Sequence, residues 1–398
     1  MSEQTAAMRD LLRETRKRER AMVQLLGRFV RCESPSGDKA AVDRFGAMVA
    51  REWRRRGARV KILRQRLRGD HLRVEMAAQA RRDFGRRDGS ADRDYGQILV
   101  LGHLDTVYPI GTLAKMPFRV AGGRAWGPGT FDMKGGLVLA LAAVDALRVV
   151  GEGPRKRVVF LWTSDEEIGS KTSRRVIESE ARRSEAVLVL EPALGREGRL
   201  KTERKGVGGV EIIVTGLAAH AGIEPEKGVN AVHELALQIA RLMKMNDRAR
   251  GITVQATVVE GGTAANVVPE RAGAMVDIRF ARVADAGRIE RGLHGLRPIL
   301  RRARVEVRVG GMRPPLERSA GVRELFGVAR GLMREVGLSL GEAATGGGSD
   351  GNFTAALGVP TLDGLGVVGD GAHSLREHVV VREMGARAAL IAGLLASL

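Results

Sequence analysis

Cysteine, aromatic residues and long apolar runs are all scarce in this chain of 398 residues. Its single cysteine, Cys32, excludes an internal disulfide and suits a reducing compartment. Cys32 stands in "RFVRCESPSGD" with no histidine nearby in sequence to activate it, so a buried spectator is expected. Aromatics make up only 4%, so the core is expected to rest on Val, Leu, Ile, Ala and Met. The same shortage argues against the stacking platforms of base-binding proteins. No apolar run has the length needed to cross a bilayer. The segment Met1 to Arg20 is polar where a secretory signal would be apolar. A cytoplasmic location with no membrane partner is therefore expected.

Acid is the other deficit. Lys and Arg total 66 against 47 Asp and Glu, a formal net charge of +19. That balance raises nucleic acid as a partner. The arginines, however, are spread along the whole chain, with no zinc-knuckle or RNP-type pattern beside them. No specific nucleic acid is expected, and a positive surface that draws in anionic substrates remains.

What is present is an ordered alternation. Ala6 to Phe29 reads as a helix, and Asp38 to Arg56 as a second, ending at Gly57. "ARVKIL" and "HLRVEMA" alternate like strands. From Ala80 to Gly96 the chain is charged, glycine-punctuated and aperiodic, an expected exposed loop. "QILVLGHLDT", "KRVVFLWTSDEE" and "EAVLVLEP" read as buried strands that stop in polar residues, and "DMKGGLVLALAAVDALRVV" reads as an apolar helix. Such alternation indicates an α/β sheet with a site along one edge. From about Thr202 to Pro314 the order becomes βαββαβ, a compact α+β unit of its own. The expected domains are 1–201 with 315–398, interrupted by an inserted 202–314.

The strand ends carry the groups that can do chemistry. They are His103 and Asp105 in "GHLDT", Asp132 in "GPGTFDMKGG", Glu166 and Glu167 in "SDEEIGS", Glu191 in "LEP", and His373 in "GAHS". Imidazoles and carboxylates delivered to one sheet edge are a ligand set that zinc accepts. One carboxylate shared by two ions would make a two-metal site, with a further carboxylate left to deprotonate water. Adjacent glutamates can split those two jobs. Taken singly, each acid could be a solvated loop residue or a helix cap. His71, His233, His294 and His378 are expected to be structural or surface residues. "GPGTFDMKGG" lacks the Gly-Lys-Ser/Thr of a nucleotide loop.

In combination, "GHLDTVYPIGT", "GPGTFDMKGG", "TSDEEIGS", "LEPA", "GLAAHAG", "GGTAANVVP", "DIRF", "GGGSDGNF" and "GAHS" resemble the M20 family of metallopeptidases, in the branch typified by glutamate carboxypeptidase. The match runs in order through nearly the whole chain. It implies a zinc-peptidase-like α/β/α catalytic domain with an inserted, ferredoxin-like lid and dimerisation domain. It implies two zinc ions per chain, with cobalt or manganese as substitutes. Asp132 resembles the bridging ligand, His103 and Glu191 the other ligands of one ion, and Glu167 and His373 those of the second. Glu166 resembles the general base, and Asp105 the carboxylate that orients His103. His220 resembles an oxyanion donor reaching across a homodimer built on 202–314. Asn266 and Arg279, with the backbone of Gly347 and Gly348, resemble substrate contacts. The bond between Asp132 and Met133 is expected to be cis. The implied activity is release of a C-terminal amino acid, with glutamate as candidate. The alternative is an N-acyl-amino-acid deacylase of the acetylornithine or succinyl-diaminopimelate kind. A non-catalytic nucleic-acid-binding protein on this fold is a third.

Overall fold

Alternation of apolar residues with period two decides how the main sheet is covered. The computed structural model describes residues 3–78 and 96–398, so the expected loop from Ala80 lies outside the described residues apart from Gly96. On strand Gln97–His103, Ile98 and Val100 join one buried cluster while Leu99 and Leu101 join another. Phe160 and Trp162 against Val159 and Leu161 repeat the split on Arg157–Thr163. Successive side chains leave a strand on opposite faces, so both faces of this sheet are buried. Gly135–Val150 and Met384–Ser397 supply apolar side chains to the first cluster, and Arg174–Ala181 and Gly351–Ala356 to the second. Three layers, α/β/α, result.

The sheet runs Arg59–Leu63, His71–Met76, Arg157–Thr163, Gln97–His103, Ala186–Val189, Thr361–Leu362. The last four strands are mutually parallel, and the first two form an antiparallel pair at one edge. The core rests mainly on Val, Leu, Ile, Ala and Met, as composition suggested, with the few rings placed deep within it. Trp53, Trp162, Phe29, Phe45 and Phe160 are among the largest fully buried side chains. Trp53 packs on Phe160 and Trp162 with ring centroids 4.3 and 6.0 Å apart. The few rings are concentrated where each buries the most area.

The N-terminal segment is two helices rather than one, Glu3–Lys17 and Glu19–Val30. At the break the Thr15 hydroxyl donates to the carbonyls of Leu11 and Leu12, and Arg18 N–H turns back to Thr15 O at 3.1 Å. Side-chain competition of this kind bends a helix without any Gly or Pro. Lys39–Arg55 starts at Asp38, whose carboxylate caps Ala41 N–H at 2.9 Å.

The chain forms two compact units, one of Met1–Thr202, Arg318–Ala344 and Ser349–Leu398, the other of Glu203–Glu317 and Thr345–Gly348. Relative to the expected boundaries, three residues after Pro314 and the short piece Thr345–Gly348 fall in the second unit. That unit is an antiparallel sheet ordered Thr253–Gly261, Arg271–Phe280, Gly206–Thr215, Arg304–Val309. Helices Ala231–Met243 and Val283–His294 bury Leu235, Leu242, Ile289 and Leu293 against Val210, Ile212, Val276 and Ile278 of the sheet. The βαββαβ order and this strand sequence together make the ferredoxin-like arrangement.

Candidate metal centre

Four parallel strands present their carboxyl ends on one side, and three of those ends deliver acids or imidazoles. His103 is the last residue of its strand, Glu166 and Glu167 follow Thr163 closely, and Glu191 lies just past Val189. Ligands gather at such ends because the strands point the following loops into one crevice. Gly102 gives His103 its surroundings. A Cβ there would come within 2.7 Å of Met133 and 2.9 Å of Trp162.

Asp132 is the centre of the arrangement. One of its oxygens, Oδ1, lies 3.2 Å from His103 Nε2, and the other, Oδ2, 3.3 Å from His373 Nε2. His103 Nε2 also faces Glu191 Oε1 at 3.4 Å, and His373 Nε2 faces Glu167 Oε2 at 3.2 Å. Two groups of three follow, His103–Asp132–Glu191 and Asp132–Glu167–His373, with ligand atoms within 4.8 Å of one another in each. The peptide bond from Asp132 to Met133 is cis. His373 takes a left-handed backbone, φ 60°, a conformation uncommon outside glycine and favoured for few side chains.

The donors fit divalent cations. A neutral imidazole Nε2 cannot satisfy two carboxylate oxygens at once, yet both histidines face such a pair. Buried Glu167 Oε1 has no hydrogen-bond partner among the described residues. Three carboxylates converging on a mostly buried site repel one another unless cations stand between them. In the metal-free chain the imbalance appears as displaced titration. Burial lowers the His103 pKa, but hydrogen bonds to Asp105, Asp132 and Glu191 outweigh it and hold the ring well above its ordinary value. Hydrogen bonds to Asp132 and Glu167 push His373 up to about 10.

Asp105 faces His103 and makes further contacts besides. His103 Nδ1 bonds the backbone carbonyl of Asp105 at 2.9 Å, and the carboxylate stands further off at 3.5 Å. That carboxylate also accepts from Ser36 Oγ at 2.7 Å and from the N–H groups of Glu166 and Glu167 at 3.3 and 3.2 Å. It therefore fixes the turn that carries both glutamates. The turn, Glu166–Ile168, is a single 3-10 turn ended by Gly169 at φ 91°. At three residues per turn, adjacent side chains diverge by about 120°, so Glu166 and Glu167 address different targets.

The other expected contacts belong to the second unit: His220, Asn266, Arg279, Gly347 and Gly348. His220 Nδ1 accepts the N–H groups of Gly222 and Ile223, both at 3.1 Å. The neutral ring must then carry its proton on Nε2. Asn266 accepts Ala221 N–H on its carbonyl, beside the bridge from His220 to Val267. Arg279 forks onto Asp277, with contacts of 2.9 to 3.2 Å, and donates to Gly346 O at 3.1 Å. Arg204 Nη1 donates to the carbonyls of Gly347 and Gly348, a partner that sequence reading missed.

Sequence reading also missed Ser36, Tyr108 and Glu377, which reach Asp105, Ser374 and the Asp132 segment through tertiary contacts alone. His71 is buried between Ser164 and Thr172, His378 lies against the Trp126 ring, and His233 and His294 are exposed. Cys32 is half-buried rather than fully buried as expected, and burial raises its pKa. An open cavity of about 670 Å³ lies elsewhere in the first unit, against helix Glu3–Lys17. Arg9, Arg13, Arg16 and Lys17 line it with Glu335, and no imidazole does, so it lacks the donors of a metal centre.

Residues 99–397 match the family model of peptidase family M20/M25/M40. The chain belongs to this family. It is 32% identical over 365 residues to carboxypeptidase G2 of Pseudomonas sp. (strain RS-16), covering 90% of this chain and 85% of that protein. It is 29% identical over 313 residues to succinyl-diaminopimelate desuccinylase of Burkholderia lata, covering 74% of this chain and 81% of the relative. Among solved structures, aminopeptidase PepT from Bacillus cereus shares the fold with a TM-score of 0.75 at 22% identity, over 95% of this chain and 98% of that one. The protein is thus an M20-type metallopeptidase or amidohydrolase, and it shares its fold, at 14% identity and a TM-score of 0.66, with the Bacillus subtilis YXEP protein, described as a dinuclear metal-binding peptidase of the M20 family. Among the described residues, no helix is long and apolar enough to cross a membrane.

Proposed function

We propose that this enzyme is a carboxypeptidase-like amidohydrolase that releases a C-terminal amino acid, with glutamate as the first candidate. The observation that carries the reading is one carboxylate, Asp132, facing two separate His–carboxylate pairs. His103, Asp132 and Glu191 would hold one ion, and Asp132, Glu167 and His373 the other, with zinc first and cobalt or manganese as alternatives. Bound divalent ions supply Lewis acidity toward the amide carbonyl and lower the pKa of water.

The protein's own groups do the rest. A Glu166 carboxylate oxygen takes the proton from the attacking water. As the carbon–nitrogen bond breaks, the same oxygen returns the proton to the leaving amine. Asp105 keeps Glu166 and Glu167 in register through their N–H groups. His220, with its proton on Nε2, is a donor of the kind an oxyanion needs. Arg279 keeps N–H donors beyond those used on Asp277 and Gly346, and a guanidinium suits an α-carboxylate.

We assign the second unit as lid and dimer interface. Strand Thr253–Gly261 is an edge of its sheet and exposes Val258 at 56% and Val259 at 58%. An unpaired edge with apolar side chains favours association with a second copy. Similarity to the desuccinylase supports the second reading, an N-acyl-amino-acid deacylase. Metal-loaded protein assayed on acyl-glutamates, dipeptides, N-acetylornithine and succinyl-diaminopimelate separates the two. Turnover greatest on acyl-glutamates or dipeptides supports carboxypeptidase action. Turnover confined to the last two substrates overturns it in favour of deacylation.

A further inference from the structure

Glu377 is fully buried, and four donors converge on its carboxylate. Oε1 accepts from Phe131 N–H at 2.7 Å and Asp132 N–H at 2.9 Å. Oε2 accepts from Gly129 N–H at 3.1 Å and from the Tyr108 hydroxyl. The Glu377 carbonyl also accepts Gly127 N–H at 3.3 Å. One residue therefore ties down the backbone from Gly127 to Asp132. That stretch ends in the aspartate that faces both histidines. Glu377 also closes the loop that presents His373, where the Tyr108 hydroxyl reaches Ser374 O at 2.9 Å. The same side chain thus joins the Asp132 segment to the His373 loop. A buried carboxylate is costly unless fully hydrogen-bonded, and apolar packing would hold two loops together without that cost. What the carboxylate adds is direction. It orients the Asp132 N–H, and so the carboxylate that the same residue carries.

We propose that Glu377, assisted by Tyr108, is a positioning residue of the metal centre that sets Asp132 between His103 and His373 and thereby governs affinity for the ions. This rests on the reading of Asp132 as the shared ligand. Residues that orient ligands from behind typically change metal affinity by about 10–100-fold. A glutamine at this position could still accept from Phe131 and Asp132 on its amide oxygen. Its NH2 would meet the Tyr108 oxygen, with the tyrosine proton turned to Ser374 O, and only the Gly129 bond would be lost. An alanine would lose all four.

The test uses full-length protein stripped with chelator and titrated with Zn2+ against a chromogenic competitor, and with Co2+ by visible absorption. Glu377→Ala is expected to bind Zn2+ about 10–100-fold more weakly and to shift the Co2+ bands. Glu377→Gln should fall between it and wild type, and Tyr108→Phe should weaken binding less than alanine does. If Glu377→Ala fails to fold, the glutamine and phenylalanine variants carry the comparison. Wild-type affinity and an unchanged Co2+ spectrum in these variants, with only a lower thermal midpoint of the metal-free protein, would overturn the proposal. Asp132→Asn is the control. If it binds both ions normally, the ligand assignment itself is wrong. If it loses them while the Glu377 variants do not, the positioning role alone is wrong.

Discussion

Glu166 and Glu167 are neighbours with the same side chain, and their different surroundings fit the different work proposed for them. Glu167 Oε2 lies against His373, while the 3-10 turn sends Glu166 another way. Glu166→Gln is therefore expected to retain both metals, as measured by elemental analysis, and to lose turnover by about 100- to 10,000-fold, because the amide cannot take a proton. Near-normal turnover with metals intact would remove Glu166 from the role of base. The histidines make a second expectation. His373 is raised to about 10 in the metal-free chain and so is protonated at neutral pH, and hydrogen bonds to Asp105, Asp132 and Glu191 also favour a proton on His103. Each must release that proton before its Nε2 can ligate. Apparent metal affinity should therefore rise with pH between about 6 and 9, with proton release on binding. Calorimetry in buffers of different ionisation enthalpy measures that release. A flat affinity across the range would contradict it. The five residues that the structure brings together, His103, Asp132, Glu167, Glu191 and His373, were legible in the sequence because each terminates an apolar run or sits in a glycine-framed motif. Glu377 was not, because its meaning comes from N–H groups some 245 residues away that "LREHVV" cannot announce. Asp105 was legible as a residue of the site but not in its contacts, since only the fold brings Ser36 and the Glu166 turn to it.

Strands and helices follow from local pattern where the pattern is complete. The period-two runs of Gln97–His103 and Arg157–Thr163, and the βαββαβ order of the second unit, are written in the order of residues. The break at Arg18 is not, because a hydroxyl choosing a backbone carbonyl leaves no Gly or Pro as a mark. The place of the few rings in the core is not legible either, for a related reason. Composition counts rings, whereas Trp53, Phe160 and Trp162 matter through one shared contact. The start of Lys39–Arg55 offers a test at this scale. Asp38 accepts Ala41 N–H there, and removing such a cap costs about 1 kcal/mol. Asp38→Ala should lower the urea midpoint of metal-free protein accordingly, and Asp38→Asn should restore it, since the amide oxygen can accept the same bond. Equal losses in both variants would assign the effect to something other than the cap.

At the scale of the molecule, the proposed ligands and base belong to one unit, while His220, Asn266 and Arg279 belong to the other. The proposed twofold dimer gives this division a purpose, with each second unit completing the site of its partner. Separation of the residues onto different chains can be tested by exchange. Glu166→Gln and His220→Ala are each expected to be inactive as homodimers. Mixed in equal amounts and allowed to exchange, they form mixed dimers in half of the cases. In each mixed dimer, one site would take Glu166 from the His220→Ala chain and His220 from the Glu166→Gln chain, and so be whole. The other site would lack both. Activity should then recover to about a quarter of the wild-type level at equal total protein. If both residues served the same chain's site, every site would stay defective and no activity would return. Subunit exchange is verified separately, by energy transfer between differently labelled chains. Exchange without recovery would exclude the cross-dimer role of His220, leaving the metal ligands and Glu166 untouched. A Val258→Asp change on the exposed edge strand should abolish the recovery by weakening the dimer, while metal content stays at the wild-type level.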